Sequence, residues 1–330
     1  MNSNPLHITN KSTFEPYPIT CFPILKSRIW GGEKLKTLGK NLPNKSIGES
    51  WELSMIGEDI SVVKNGVYQY TSIDVLINNF PKQILGEEIF EKFGPQLPLL
   101  FKFLDAKTDL SIQLHPNDAL AKERHNSYGK TEMWYIMEAE EDARIILGFN
   151  QDSSSEEYLT HLENKTLPTI LREYKVKKGD VFFIETGTVH AIGGGVLLAE
   201  IQQTSDITYR IYDWDRVDDN GVPRELHIDL ALDAINYESK DSKIVYKSKS
   251  NTLTKLVESP FFKTNFLPLD GELHFIKDEK LYVYICTHGE FSIEYLGEIY
   301  TFEKGDTILI PAVVIEFILK GKAELLEIYI

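Results

Sequence analysis

Short apolar runs, alternating or continuous and each closed by Gly, Asp or Asn, dominate this chain. EMWYIMEAEE (132–141), RIILGFN (144–150), DVFFIETG (180–187), VLLAEIQQ (196–203), ITYRIYDW (207–214), LYVYICTHGEFSIEYL (281–296) and DTILIPAVVIEFIL (306–319) are rich in β-branched and aromatic residues. Such runs predict strands, and their even spacing predicts a β-sandwich or barrel. Helical periodicity is confined to SIDVLINNFPKQIL (72–85), NDALAKERH (117–125), SSEEYLTHLE (154–163) and DLALDAINY (229–237). In the second of these, Asn117 or Asp118 is placed to cap a helix directly after Pro116. The fold class read from this pattern is mainly β, with a few short helices.

A weak internal repeat divides the pattern. VKKGDVFFIETGTVHAIGGG (176–195) aligns without gaps on FEKGDTILIPAVVIEFILKG (302–321), so that Gly179 meets Gly305, Asp180 meets Asp306 and His190 meets Glu316. Each copy reads as turn, strand and second turn. EMWYIMEAEEDARIIL resembles KLYVYICTHGEFSIEYL in the same way. Two related β modules follow, residues 1–240 and 241–330, with the polar stretch YESKDSKIVYKSKSNT (237–252) near the boundary. Glu316 in place of a histidine predicts that the second module holds no metal.

Composition narrows the function. The 330 residues carry 35 Lys and Arg against 50 Asp and Glu, a formal charge of −15, without a dense basic block, which argues against nucleic acid or an anionic membrane as partner. An anionic ligand then requires a local cationic pocket. The stretch MNSNPLHITNKSTFEPYPITCFPI lacks the pattern of a leader, and no apolar run is long enough to span a bilayer, so a cytoplasmic protein is expected. The two cysteines, Cys21 and Cys286, form no CxxC pattern. Any metal is therefore expected on N and O ligands.

The strand rule gives the candidate chemistry. In SIQLHP (111–116), Gln113 and His115 project to one face and Ile112 and Leu114 to the other; in GKTEMWY (129–135), Lys130 and Glu132 share a face. His190 follows Gly187, where a tight turn is permitted. Two imidazoles and a carboxylate on a rigid β scaffold suit a catalytic Zn²⁺, with a fourth oxygen available from Gln113. Taken singly, each has an ordinary explanation: His115 as a strand-end cap, Glu132 as a solvated strand residue, His190 or Gln113 bonded to backbone. Arg210 in ITYRIYDW is expected, with Thr208 and Tyr212, opposite the core-facing Ile207, Tyr209 and Ile211; the plain reading is a surface arginine paired with Asp213 or Asp215.

A family resemblance changes that weighting. Gly179, Glu185, Thr186, Gly187 and His190 are spaced as in the second signature of cupins, with Glu185 where a proline is usual. SIQLHP, GKTEMWY, GTVHAIGGG and QQTSDITYRIYDWDR together resemble the type I mannose-6-phosphate isomerases, particularly their short bacterial form, and the likeness starts at SRIWGG (27–32) and IGESWELS (47–54). The resemblance implies two cupin-type jelly-roll modules and one Zn²⁺ per chain held by Gln113, His115, Glu132 and His190. It implies Arg210 as a catalytic arginine and gives Lys130 a place beside the ligand glutamate. It further implies interconversion of mannose 6-phosphate and fructose 6-phosphate through an enediol(ate), by a monomer or homodimer. Arg210 would stabilise the enediolate or grip phosphate, Lys130 would shuttle a proton or bind phosphate, and Trp30, Glu49 and Trp51 would line the pocket. The identity of the base stays open among a metal-bound water, Lys130 and a carboxylate. Between Glu132 and His190 only SSSEEYLTHLENKTLPTIL stands where the long enzymes carry a helical domain. Rival readings are an iron or manganese cupin oxygenase and a non-catalytic sugar-binding protein.

Overall fold

A computed structural model describes residues 13–217 and 220–330; the first twelve residues, which open the stretch read as lacking a leader, lie outside the described residues. Every expected strand forms. The apolar runs become Glu132–Ala139, Arg144–Phe149, Val181–Ile184, Val196–Gln203, Tyr209–Tyr212 and Tyr282–Tyr295. The run DTILIPAVVIEFIL divides at Pro311 into Thr307–Ile310 and the 14-residue Glu316–Tyr329, as a residue without an N–H would dictate. The segment 72–85 likewise breaks before Pro81 into helices Ile73–Asn79 and Pro81–Leu85. Helix Glu87–Phe93 was not expected from the periodicity.

The first module packs two antiparallel sheets face to face. One holds five strands in the order Leu171–Lys175, Arg144–Phe149, His190–Ile192, Ile112–Leu114 and Tyr209–Tyr212. The other holds seven, running from Lys243–Ile244 through Val181–Ile184, Glu132–Ala139, Val196–Gln203, Leu99–Ala106 and Ile24–Gly32 to Ile47–Leu53. Trp30, Leu104, Trp134, Ile136, Leu147, Phe182 and Leu198 fill the space between them. The five-stranded sheet buries its outer face, including Ile112, Leu114, Val189, Tyr209 and Ile211, beneath helices Ser155–Glu163 and Ile228–Leu232. The short insertion after Glu132 thus acts as a cover, with Tyr158, Leu167 and Ile170 turned inward.

The second sheet system is built on three 14-residue strands, Lys263–Ile276, Tyr282–Tyr295 and Glu316–Tyr329, around its own core of Leu269, Phe275, Tyr284, Ile293, Phe317 and Leu325. Ile19–Phe22 and Val62–Val63 join this sheet, whereas Lys243–Ile244 pairs with Val181–Phe182 in the first module. The chain therefore crosses between the two systems more than once. A larger core, with Phe101, Phe103, Tyr135 and Ile201 on one side and Val283, Leu309, Leu326 and Ile328 on the other, joins them.

The internal repeat is physical at its turns. Gly179 and Gly305 sit at φ +86° and +96°, a region that a side chain disfavours. One residue on, Asp180 accepts from the Lys177 amide at 3.1 Å and Asp306 from the Glu303 amide at 2.9 Å. Strands Val181–Ile184 and Thr307–Ile310 follow.

Candidate active site

Three neighbouring strands carry the first half of the site. His190 is the register partner of Gln113, and Gln113 is the partner of Arg210, so the three side chains form a row across the five-stranded sheet on its inner face. Behind them Leu114, Val189, Tyr209 and Ile211 are buried in the outer core, which fixes the register because a slip by one residue would exchange the two faces. Thr208 and Arg210 reach the inner face as expected; a bulge after Arg210 turns Tyr212 outward against Trp214.

The other half comes from the seven-stranded sheet, and the loop after His115 brings it close. Asn117 caps helix Asp118–His125 by accepting from Leu120 N at 3.0 Å, while Asp118 accepts from Gly129 N at 2.8 Å. Lys130 N donates to Pro116 O and Gly187 N to His115 O, at 3.3 and 2.8 Å. These bonds tie the segments bearing His115, Lys130 and His190 into one frame.

Within that frame, His115 Nε2 lies 3.7 Å from Glu132 Oε2 and His190 Nε2 lies 3.6 Å from Glu132 Oε1. One donor atom from each residue falls within 4.8 Å of the others. The Nδ1 atoms are bonded elsewhere, His115 to Ile207 O at 2.8 Å and His190 to Thr188 O at 2.9 Å. A carbonyl only accepts, so each Nδ1 carries the proton and each Nε2 lone pair points at the cluster, as metal-binding imidazoles require. Burial first, and the Lys130 charge second, hold His190 down to about 4 and His115 well below its ordinary range; both rings are neutral near pH 7. Gln113 stands 3.4 Å from His190 Nε2 through its amide nitrogen as placed; rotating the amide by half a turn presents the oxygen instead.

Glu132 is fully buried, and neither carboxylate oxygen makes a hydrogen bond of good geometry, although Lys130 Nζ lies 2.8 Å away. Burial and the Glu200 charge push its carboxyl up to about 7, against the pull of Lys130. A buried carboxylate short of partners between two neutral imidazoles is the donor set of a divalent cation. The residues present therefore fit a metal.

Sequence reasoning missed a second tier. Lys102 Nζ is 3.3 Å from Glu200 Oε1, Trp134 Nε1 donates to Glu200 Oε2 at 3.0 Å, and Lys130 is 3.8 Å from Glu200. Burial opposes the charge on Lys130, but Glu132 and Glu200 outweigh it and raise the ammonium. Burial likewise opposes charge on Glu200, and Lys130 with Lys102 outweighs it in turn. Arg28 grips Glu49 at 2.9 and 3.2 Å, and Glu49 accepts from Trp51 Nε1 at 2.7 Å. The signal was present in the sequence: Lys102, with Asp105, lies inside LLFKFLDA and Glu200 inside VLLAEIQQ, eight-residue apolar strands buried along their whole length. A charge there must be paired.

These groups surround a cavity of about 330 Å³, with Trp30, Trp134, Leu110, Ser111 and Ile192 in its walls and Arg28, Arg210, Arg224 and Asp206 also lining it. Arg210 is half-buried; Asp213 is taken by Arg216 and Arg224 and Asp215 by Lys165, so among the described residues Arg210 has no carboxylate partner. Its Nη1 donates to Glu225 O at 2.9 Å and its Nε is buried without a partner. Trp30, Glu49 and Trp51 line the same space as expected. Among the described residues no helix is long and apolar enough to cross a membrane.

A jelly-roll in which two imidazoles and a carboxylate converge beside a polar cavity lined by His190 defines a cupin-type protein with a candidate metal centre. Comparison with known proteins goes further. Residues 19–159 match the catalytic domain of phosphomannose isomerase type I, and residues 252–330 the cupin domain of mannose-6-phosphate isomerase. The chain is 39% identical over 312 residues to mannose-6-phosphate isomerase ManA of Bacillus subtilis, covering 93% of this chain and 97% of that one. It is 35% identical to a mannose-6-phosphate isomerase of Streptococcus mutans, covering 92% and 95%. The crystal structure of the mannose 6-phosphate isomerase from Bacillus subtilis superposes with a TM-score of 0.87 at 34% identity, covering 95% of this chain and 99% of that one. The chain belongs to the type I mannose-6-phosphate isomerase family and is an isomerase.

Proposed function

We propose that this enzyme interconverts mannose 6-phosphate and fructose 6-phosphate by moving a proton between C1 and C2 through an enediol(ate), with Zn²⁺ held by His115, Glu132, His190 and Gln113. The observation that carries the reading is the convergence of His115, Glu132 and His190 on one another, with His190 and Gln113 facing a cavity that Lys102, Lys130 and Arg210 also line. A bound divalent ion would supply Lewis-acid polarisation of the carbonyl, chemistry that needs no redox change.

The chain's own residues do the rest. Neutral His115 and His190, oriented by the Ile207 and Thr188 carbonyls, turn their Nε2 atoms toward Glu132 at neutral pH, with Lys130 Nζ 3.1 Å from His115 Nε2. Glu200 is kept ionised between Lys102 and Lys130, and its Oε1 has no hydrogen bond of its own. We assign to it the role of taking the carbon-bound proton and returning it to the neighbouring carbon. Lys130, kept charged by two carboxylates, stabilises negative charge beside it. Arg210, one register step from Gln113, presents an unpaired guanidinium to the oxygen on which charge develops. Trp30, Trp134 and Leu110 exclude water from the reacting end. The charged lining favours this reading over an oxygenase acting on an apolar substrate, and the complete donor set favours it over a non-catalytic sugar-binding protein.

The test is a coupled assay of mannose 6-phosphate conversion before and after chelation. Turnover should vanish on chelation and return with Zn²⁺. Absence of turnover by the metal-replete protein, or metal-dependent oxygen uptake, would sink the reading. Cys21 and Cys286 are buried free thiols, in keeping with a cytoplasmic enzyme. We assign residues 241–330 a supporting role: Glu316, the repeat counterpart of His190, is exposed, and the described residues offer no second donor cluster.

A further inference from the structure

The turn after the Arg210 strand concentrates two guanidiniums on one carboxylate. Asp213 is buried and accepts from Arg216 Nη2 at 2.5 Å, from Arg224 Nη2 at 2.5 Å and from Arg224 Nε at 2.7 Å. Trp214 and Asp215, at φ +58° and +54°, occupy the left-handed region in succession, a conformation costing about 1 kcal/mol or more for each such residue. The fold sustains it by anchoring the Trp214 indole N–H to Leu110 O at 2.7 Å and Arg216 Nη1 to Asp109 O at 2.5 Å. The turn thereby sets Asp213 beneath Arg224.

Arg216 is consumed by these contacts, whereas Arg224 is not. Asp213 grips Arg224 along one edge through Nε and Nη2, and among the described residues no hydrogen bond uses its Nη1. Arg224 and Arg210 line the same cavity, and the like charges of Arg224 and Arg216 add to burial in disfavouring the Arg210 cation. Elsewhere the cavity's charges are matched: Lys102 and Lys130 by Glu200 and Glu132, Arg28 by Glu49. Asp206 also lines the cavity, but within 4 Å it pairs with none of the three arginines, and Glu225 is exposed. The excess of positive charge thus lies at the Arg210–Arg224 side, where Ser111 and Thr208 add hydroxyl groups. A fixed guanidinium edge beside a second, unpaired guanidinium is suited to a phosphate dianion.

We propose that Arg224 is the phosphate-recognising residue of the cavity and that Asp213 is its positioning residue. The inference rests on the sugar-phosphate reading above and deepens it. Arg210 sits in the row with Gln113 and His190 and serves the reacting carbons, while Arg224, carried on the following loop, serves the distal phosphate.

The test uses the metal-replete full-length enzyme, with KM for mannose 6-phosphate and the inhibition constant for inorganic phosphate measured in parallel. R224A should raise both by tenfold or more while kcat changes no more than a few-fold. R224K, which keeps the charge but loses the fork, should fall between R224A and wild type. D213N should raise both constants in the same proportion to each other, with the metal content of wild type. An R224A enzyme with both constants within twofold of wild type overturns the proposal, as does loss of kcat at constant KM. If R224A does not fold, R224K decides by the same two constants. Calorimetric titration with inorganic phosphate separates this inference from the isomerase reading. Without turnover, phosphate binding by wild type that R224K weakens still supports it, and equal binding by both overturns it.

Discussion

Replacing Glu132 by Gln exchanges the sign of a stability effect according to metal. Glu132 is fully buried, lacks good hydrogen bonds, and has its carboxyl raised from 4.5 to about 7 by burial and by Glu200, net of the favourable Lys130 charge. In metal-free protein the folded state therefore holds more protons than the unfolded chain between about pH 4.5 and 7. Stability contributed by this group falls as pH rises through that window and stays low above it. A carboxyl displaced this far upward by folding puts the penalty on the order of 3 kcal/mol at pH 8. Gln mimics the protonated acid in shape and charge. E132Q should therefore be more stable than wild type in chelator at pH 8, by a few kcal/mol, with the difference vanishing near pH 4. With metal present the order should reverse, because a ligand that binds only the folded state stabilises wild type by RT ln(1 + [L]/Kd), and the variant has lost its anionic donor. Urea unfolding of both proteins at pH 4, 6 and 8, with chelator and with Zn²⁺, reads every term. If E132Q is less stable than wild type in chelator at pH 8, the Glu132 carboxylate is well solvated or well paired in the folded protein and carries no such penalty.

Arg210→Ala should keep wild-type metal content and lose 10²-fold or more in kcat, as expected for one oxyanion-stabilising donor; loss of metal instead would place Arg210 in the coordination frame. Leu114→Ala deletes a fully buried side chain behind the Gln113 row and should cost about 2–5 kcal/mol by urea unfolding. A cost under 1 kcal/mol would mean that the outer core does not set the register. Gly187→Ala places a Cβ 2.5 Å from Ala234 O at φ +82°. Because Gly187 N holds His115 O, this variant should bind Zn²⁺ more weakly in a competition titration, whereas Glu185→Ala, whose side chain only meets exposed Lys240, should not.

The strand rule was enough to pair Gln113 with His115 and Lys130 with Glu132, because side-chain alternation is a property of one strand. Pro81 and Pro311 break segments that the pattern gave as continuous, and the reason is equally local, a residue without an N–H. The repeat placed Gly179 and Gly305 at equivalent turns. Where Asn117 and Asp118 both stood as possible caps, the backbone chose Asn117, freeing Asp118 to hold Gly129. Length and end of a helix were less legible: the helix Ile228–Leu232 takes up only the first four residues of DLALDAINY.

What the sequence determined by itself was the set of elements, the face of each strand and the residue types fit for metal chemistry, all of which depend on neighbours a few positions away. Which strands lie side by side depends on packing across the chain. Only tertiary structure put His190, Gln113 and Arg210 in one row, turned Lys102 and Glu200 from isolated charges into a buried pair, and gave Asp213 to Arg216 and Arg224 rather than to Arg210. The physical reason is that a buried charge is tolerated only beside its partner. Lys102 and Glu200 lie 98 positions apart in the chain, so their pairing exists only in the folded sheet.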